Sequence, residues 1–195
     1  MNRNIEKAIK ILEGGGIVIF PTDTTFVIGC RIDDEQAVQR LFEIRKRPKD
    51  KAVLILCSSL QMVKEYIEPF NLDVGGLMQK YWPGGLTLVM QGNTSKIPSL
   101  VRGGGETIGI RIPAHLAIRR IIKRVGVPIL GPSANFAGGK TPFLMSDLDP
   151  NLVGKVDFVL PGRCKIKKPS TVLDVSQRPW RVIREGAVPL NKVTN

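Results

Sequence analysis

Apolar positions recur at helical spacing from the start of the chain. Ile5, Ala8, Ile9 and Leu12 form one stripe, and Gly14, Gly15 and Gly16 end the segment. IVIF (17–20) is a short, fully apolar, β-branched run that stops at Pro21, the pattern of a buried strand. Asp33 or Asp34 can cap a second helix running to Arg45, with Val38, Leu41 and Phe42 on one face. AVLIL (52–56) reads as another buried strand, 60–67 and 72–81 as helices, and LTLVM (86–90) and TIGIRI (107–112) as strands. AIRRIIKRV (117–125) has an apolar face of Ile118, Ile121, Ile122 and Val125, with its basic residues directed outward. PILG (128–131), VDFVL (156–160), STVLDV (170–175) and RVIRE (181–185) are the remaining strand candidates, and 191–195 are expected to fray.

Helices and strands alternate irregularly, and the last third is rich in strands. This predicts an α/β domain on one mixed, twisted open sheet flanked by helices. No internal repeat, low-complexity tract or linker interrupts it, so residues 1–195 read as a single domain.

Polar residues cluster where the apolar runs end. IVIF leads into PTDTT, PILG leads into PSAN, and AVLIL follows RKRPKDK. Small hydroxyl and amide groups after strands are ordinary turn formers. Several such segments beyond the strand ends of one sheet can instead line one crevice. RKRPKDK (45–51) is the densest cationic run, and Arg45, Arg47 and Lys51 suit a ligand with several phosphates, because a guanidinium fork binds phosphate bidentately. RGGGETIG (102–109) matches neither a Walker-type loop nor a dinucleotide fingerprint, so phosphates would be held mainly by side chains.

Composition narrows the classes. The net charge of +12 draws polyanions by its long-range field. The three cysteines (Cys30, Cys57, Cys164) form no CxxC pair, which argues against a zinc site or disulfide framework and fits a reducing cytosol. No apolar run approaches the ~20 residues of a membrane span. With His115 as the one histidine, templates built on a catalytic histidine are weak, and the residue reads as a capping or surface group at a strand-to-helix turn.

PTDTTFVIGC, RKRPKDKAVLIL, WPGGLTLV, TIGIRIP, PSAN, PSTVLDV and VIREGAV occur in an order that closely resembles the YrdC/TsaC family, the threonylcarbamoyl-AMP synthases, over roughly residues 5–188. The resemblance implies a twisted open α/β sheet around a deep, basic central cavity. It implies a cytoplasmic enzyme that joins L-threonine, bicarbonate and ATP into threonylcarbamoyl-adenylate, with Mg²⁺ accompanying the ATP. Partner proteins then transfer the threonylcarbamoyl group to tRNA; contact with tRNA or other double-stranded RNA is a further implication. The short form of the family lacks an additional C-terminal domain, and this chain looks like that form. Carried over residue by residue, the signature falls on Arg45, Arg47, Ser133 and Asn135. Arg45 and Arg47 are the catalytic candidates. Arg47, Lys51, Thr107, Asn135 and Arg184 resemble the ATP contacts, and Thr24, Arg111, Ser133 and Ser170 the threonine-binding set, with Arg111 pairing the carboxylate.

The chain departs from the family pattern in places. Arg45 replaces a lysine, Phe26 a tyrosine, and Val27 and Ile28 the usual Gly-Leu; WPGG stands for WPGP, and FAGGKTPF follows PSAN. These changes leave two alternatives open: a paralogue with altered carbamoyl or nucleotide chemistry, and an RNA-binding module carried by the basic clusters at 117–125 and 163–168.

Overall fold

The computed structural model describes residues 3–189. Helix α1 (Arg3–Glu13) leads into strand β1 (Val18–Pro21), which turns back through 22–25 into β2 (Phe26–Gly29). FVIG is thus a strand absent from the elements expected from the sequence, which stop at PTDTT after IVIF. Strand β7 (Phe158–Val159) adds parallel to β1 and completes a three-stranded sheet in the order β2-β1-β7.

The second sheet has six strands. These are β3 (Ile55–Leu56), β4 (Leu86–Gln91), β5 (Thr107–Arg111), β6 (Ile129–Leu130), β8 (Thr171–Asp174) and β9 (Arg181–Arg184), in the order β6-β3-β5-β4-β8-β9. Its pairings mix parallel (β3–β5, β4–β8) with antiparallel (β3–β6, β4–β5, β8–β9). Isolated bridges, Val27 with Ser133 and Arg31 with Ile129, stitch β2 to the segment around β6. The mixed, open α/β class is as expected, but its strands among the described residues form two sheets where one was expected.

Helix α2 (Glu35–Arg45) starts where expected: the Asp34 carboxylate accepts from Ala37 N, and Val38, Leu41 and Phe42 are buried. It stops at Lys46, which takes a left-handed conformation. Helix α6 (Leu116–Val125) buries Ile118, Ile121, Ile122 and Val125 against Ile5, Ala8, Ile9 and Leu12 of α1. Each isoleucine, leucine or valine among them contributes about 1.5–3 kcal/mol when fully buried. Helices α3 (Leu60–Tyr66) and α4 (Leu72–Tyr81) lie where their periodicity placed them, and the short helices α5 (Ser99–Arg102) and α7 (Pro150–Val153) fall in segments with too few turns to show a period.

Two expectations are corrected. AVLIL forms a ladder only at Ile55 and Leu56, because Val53 N instead donates to Val101 O at the end of α5. His115 occupies the N-cap position of α6 but makes no side-chain cap bond, and it is half-buried rather than a surface residue. Residues 191–195 lie outside the described residues. No helix among the described residues is long and apolar enough to cross a membrane.

Candidate active site

The six-stranded sheet uses strand alternation to build a floor. Ile108 and Ile110 of β5 and Leu86, Leu88 and Met90 of β4 enter the core. Their alternates, Thr107, Gly109, Arg111, Thr87 and Val89, line a cavity of about 470 Å³. Loops beyond the strand ends complete the wall.

The turn 22–25 is held by Thr22. Its hydroxyl donates to Thr25 O at 2.7 Å and accepts from Thr24 N at 3.2 Å and Thr25 N at 3.1 Å. This sets Thr24 and Thr25 on the wall, with buried Asp23 just before them, between Thr22 and Thr24. Arg111, only 3% exposed, donates through Nη2 to Asp23 Oδ1 at 2.5 Å, through Nη1 to Thr24 Oγ1 at 2.7 Å and through Nε to Gly84 O at 2.7 Å. The last contact gives the WPGG turn a function: it aims a carbonyl at Arg111. A Cβ at Gly84 would come within 2.3 Å of Tyr81 O, so the turn needs glycine there. Burial lowers the Arg111 pKa, and the Asp23 carboxylate opposes that shift.

The last turn of α2 supplies Arg45, also 3% exposed. Its Nε donates to Asn135 O at 2.9 Å, and Ala137 N returns a bond to Arg45 O at 2.8 Å. Its Nη1 is buried with no partner, and no carboxylate pairs with it among the described residues. Burial, and secondarily the neighbouring Arg47, push its pKa down to about 10. Arg47 is held by the carbonyls of Lys51 and Ala52 and is depressed by burial, against the pull of Asp50.

Across the floor, Arg184 donates to Ser170 O at 3.0 Å and Ser170 Oγ at 3.1 Å, and that hydroxyl lies 2.8 Å from Thr87 Oγ1. Burial lowers the Arg184 pKa as well. The wall thus carries five arginines (Arg45, Arg47, Arg111, Arg181, Arg184) against one carboxylate, Asp174. Such a field concentrates anions in a partly enclosed space.

Of the ten expected site residues, eight line this cavity: Thr24, Arg45, Arg47, Thr107, Arg111, Ser133, Ser170 and Arg184. Two do not. Lys51 is solvent-exposed beside Asp50, at 3.8 Å. Asn135 turns its amide to Phe136 O (2.9 Å) and Gly139 O (2.7 Å), bracing the loop after PSAN, and leaves Oδ1 buried without a partner. The sequence reading missed Thr87, Asp23 and Asp174. A threonine inside an apolar strand and an acid between two threonines were the available signals.

The donor set does not fit a resident metal ion. Magnesium is held by one or two carboxylates and water. Asp174, the carboxylate on the wall, already accepts from Ser176 N (3.1 Å) and Ser176 Oγ (2.6 Å) and lies 3.5 Å from Arg181. No group of three or more His, Cys, Asp or Glu among the described residues could hold a metal.

Known proteins resemble this chain in sequence and fold. A family model for Sua5, YciO and YrdC, described as telomere recombination, matches residues 10–186. The threonylcarbamoyl-AMP synthase of Pyrococcus abyssi is 31% identical over 97% of this chain, which spans 56% of that protein. The structure of P. abyssi Sua5 complexed with L-threonine superimposes with a TM-score of 0.92 over the same shares, 97% and 56%. The threonylcarbamoyl-AMP synthase of Xanthomonas campestris is 31% identical, covering 93% of this chain and 97% of its own. Escherichia coli YciO, which carries the name "Uncharacterized protein YciO", is 30% identical over 94% of this chain and 89% of its own. Its crystal structure aligns with a TM-score of 0.87 at 27% identity, covering 98% and 93% of the two chains.

Proposed function

The chain belongs to the Sua5–YciO–YrdC family, and from that premise we propose that it is a threonylcarbamoyl-AMP synthase. Its substrates are then L-threonine, bicarbonate and ATP, and its products threonylcarbamoyl-adenylate and pyrophosphate. The observation that carries the reading is Arg45, a cation almost fully removed from water, facing the cavity with no carboxylate among the described residues to neutralise it. Burying an unpaired charge costs several kcal/mol. An anionic ligand that supplies the missing charge offsets that cost.

In this reading bicarbonate loses hydroxide to give carbon dioxide, and the uncharged threonine amine attacks its carbon. The N–C bond forms, the amine proton leaves with the hydroxide as water, and a carbamate results. A carbamate oxygen then attacks the α-phosphorus of ATP, and the bond to the β-phosphate oxygen breaks. Arg45, Arg47 and Arg184 balance the charge that accumulates when one anion approaches another. Arg111 and Thr24 hold the amino acid, and Ser133 and Ser170 orient it. Thr107 remains an ATP contact, while Lys51 and Asn135 act through the loops they border. Magnesium enters as part of the nucleotide substrate, with no protein carboxylate to hold it. The walls restrict water, which protects a carbamate and a mixed anhydride from hydrolysis. Residues 3–189 form the catalytic unit in this reading. The product passes to proteins that modify tRNA in the cytoplasm, a setting compatible with three free thiols.

A second reading is favoured by Val27. It lines the cavity where the family pattern has glycine, and its added bulk narrows the space beside Ser133. A paralogue using another amine or carbamoyl donor would exploit that change. One experiment separates the two. Purified protein is incubated with ATP, Mg²⁺, bicarbonate and each amino acid in turn, with pyrophosphate assayed and the adenylate identified by mass spectrometry. Release that needs both threonine and bicarbonate is expected. Release with a different amine establishes the paralogue. RNA binding with a steep salt dependence but no adenylate with any amine establishes a binding module.

A further inference from the structure

Asp23 is 2% exposed, and only one of its oxygens is used. Oδ1 accepts from Arg111, while Oδ2 is buried without a partner. A carboxylate held at one oxygen can rotate about its own axis, and the guanidinium it anchors then loses its orientation. His115 carries a second orphan. It follows Arg111 by four residues, at the entrance to α6. Its Nδ1 is buried with no partner, and its side chain does not cap the helix. Asp23 is the carboxylate whose field acts on this imidazole, in opposition to burial and to Lys165. Lys165 belongs to the segment whose Ile166 N donates to Asp23 O at 2.8 Å. Arg111 and the Cys164 thiol are the other ionisable groups beside Asp23. Burial holds the His115 pKa below its usual value, so at neutral pH the ring is uncharged and has one N–H to donate. His115 is not among the residues lining the cavity, so it does not touch substrate directly.

We propose that His115 is a positioning residue: a water-bridged hydrogen bond from its ring to the free oxygen of Asp23 locks the Asp23–Arg111 pair and so aims Arg111 at the anionic end of the amino acid. The proposal rests on the reading that Arg111 meets that end. The histidine, the acid and the arginine then form a relay of position rather than of protons. Removing the outer partner of a metal ligand weakens affinity or activity about 10–100-fold, and a loss towards the lower end of that range is expected for this outer partner of a buried ion pair.

The test uses three substitutions in the full chain. In His115→Asn the amide nitrogen falls where Nδ1 was; in His115→Gln it falls where Nε2 was; His115→Ala removes both. The threonine KM is expected to rise about tenfold or more in the Gln and Ala variants and to stay near wild type in the Asn variant, with ATP binding by calorimetry unchanged in all three. Arginine side-chain NMR of the substrate-free protein provides an independent readout. The Arg111 Nη2 protons, which face Asp23, should exchange slowly in wild type and His115→Asn, and quickly in the other two. An Arg111 signal unaltered by His115→Gln and His115→Ala, or a His115→Asn variant indistinguishable from His115→Ala, overturns the proposal. If His115→Ala does not fold, the contrast between Asn and Gln still decides. If wild type shows no threonine-dependent turnover while the Arg111 signals follow the expected pattern, the functional reading fails and the positioning role stands.

Discussion

Asp23 and Arg111 stand 88 residues apart in the chain and 2.5 Å apart in the fold, both 3% exposed at the side chain. The pair joins the β1–β2 turn to the end of β5 and fixes one end of the cavity. Breaking a buried pair leaves an uncompensated charge, at a cost of about 3–5 kcal/mol. Asp23→Asn is therefore expected to lower the urea midpoint strongly with little change in m-value. Asp23→Asn combined with Arg111→Met should recover part of that loss, because the orphaned cation is then gone. A double variant no more stable than Asp23→Asn would show that the pair is not energetically coupled.

Arg45 presents the opposite case, a buried cation without an anion. Its pKa of about 10 lies below the ordinary arginine value, so the unfolded chain holds this proton more tightly than the folded one. The folded state is therefore penalised below pH 10, and the penalty fades as pH rises above about 10. Arg45→Met should remain folded and gain about 1 kcal/mol after the lost bond to Asn135 is subtracted, raising Tm by about 2–4 °C. The same variant should lose stabilisation by pyrophosphate, which at 100 times its Kd is worth about 2.7 kcal/mol in wild type. Differential scanning fluorimetry with and without pyrophosphate measures both effects.

Arg47 is half-buried, and its contacts go to backbone carbonyls of its own loop. Arg47→Ala is expected to keep the fold and to lose about 3 kcal/mol of transition-state stabilisation, roughly a hundredfold in rate. Threonine-dependent pyrophosphate release together with circular dichroism checks this. Near wild-type release would remove Arg47 from the chemistry.

Gly186 lets the C-terminal segment cross the loop before β8. A Cβ there would sit 2.3 Å from Pro169 O and 2.5 Å from Ser170 C, both backbone atoms. Gly186→Ala must push this loop aside and displace Ser170, which Arg184 holds. Overpacking of this kind costs typically about 1–3 kcal/mol. A lower Tm together with weaker threonine binding is expected; a variant with wild-type values for both would refute the close crossing.

The thiols offer a pH test. Burial raises the pKa of Cys164 to about 11, with a backbone bond from Thr22 pulling it down in part. Cys30 and Cys57 are raised further, mainly by burial. The thiolate is the reactive form, so native protein at pH 8 should react slowly with a disulfide reagent at all three positions. The rate at Cys164 should climb as pH approaches 11, while urea should release all three at once. Fast labelling of Cys164 at pH 8 would contradict its burial.

The alternation TIGIR already placed Thr107, Gly109 and Arg111 on one face of a strand, and the helix stripes of α1 and α6 were plain as 3.6-residue periods. These are local patterns, and local stereochemistry imposes them. The hairpin strand FVIG was harder to see, because four residues after a hydroxyl-rich turn give no measurable period. AVLIL differs for the converse reason: Ile55 and Leu56 pair with neighbouring strands, but the backbone partner of buried Val53 is the end of a helix.

Residue types, their order and the cationic excess were enough to establish the helices, most strands, the mixed α/β class and the families of side chain gathered around a site. Which cations face inward was decided only by the fold. Arg45, Lys46, Arg47, Lys49 and Lys51 look equivalent as a charge run, yet Arg45 and Arg47 line the cavity while the three lysines are exposed. The left-handed turn at Lys46 and the carbonyls of Asn135, Lys51 and Ala52 separate them. Burial and charge pairing depend on atoms contributed by residues dozens of positions away, and nothing in a local window specifies those distances.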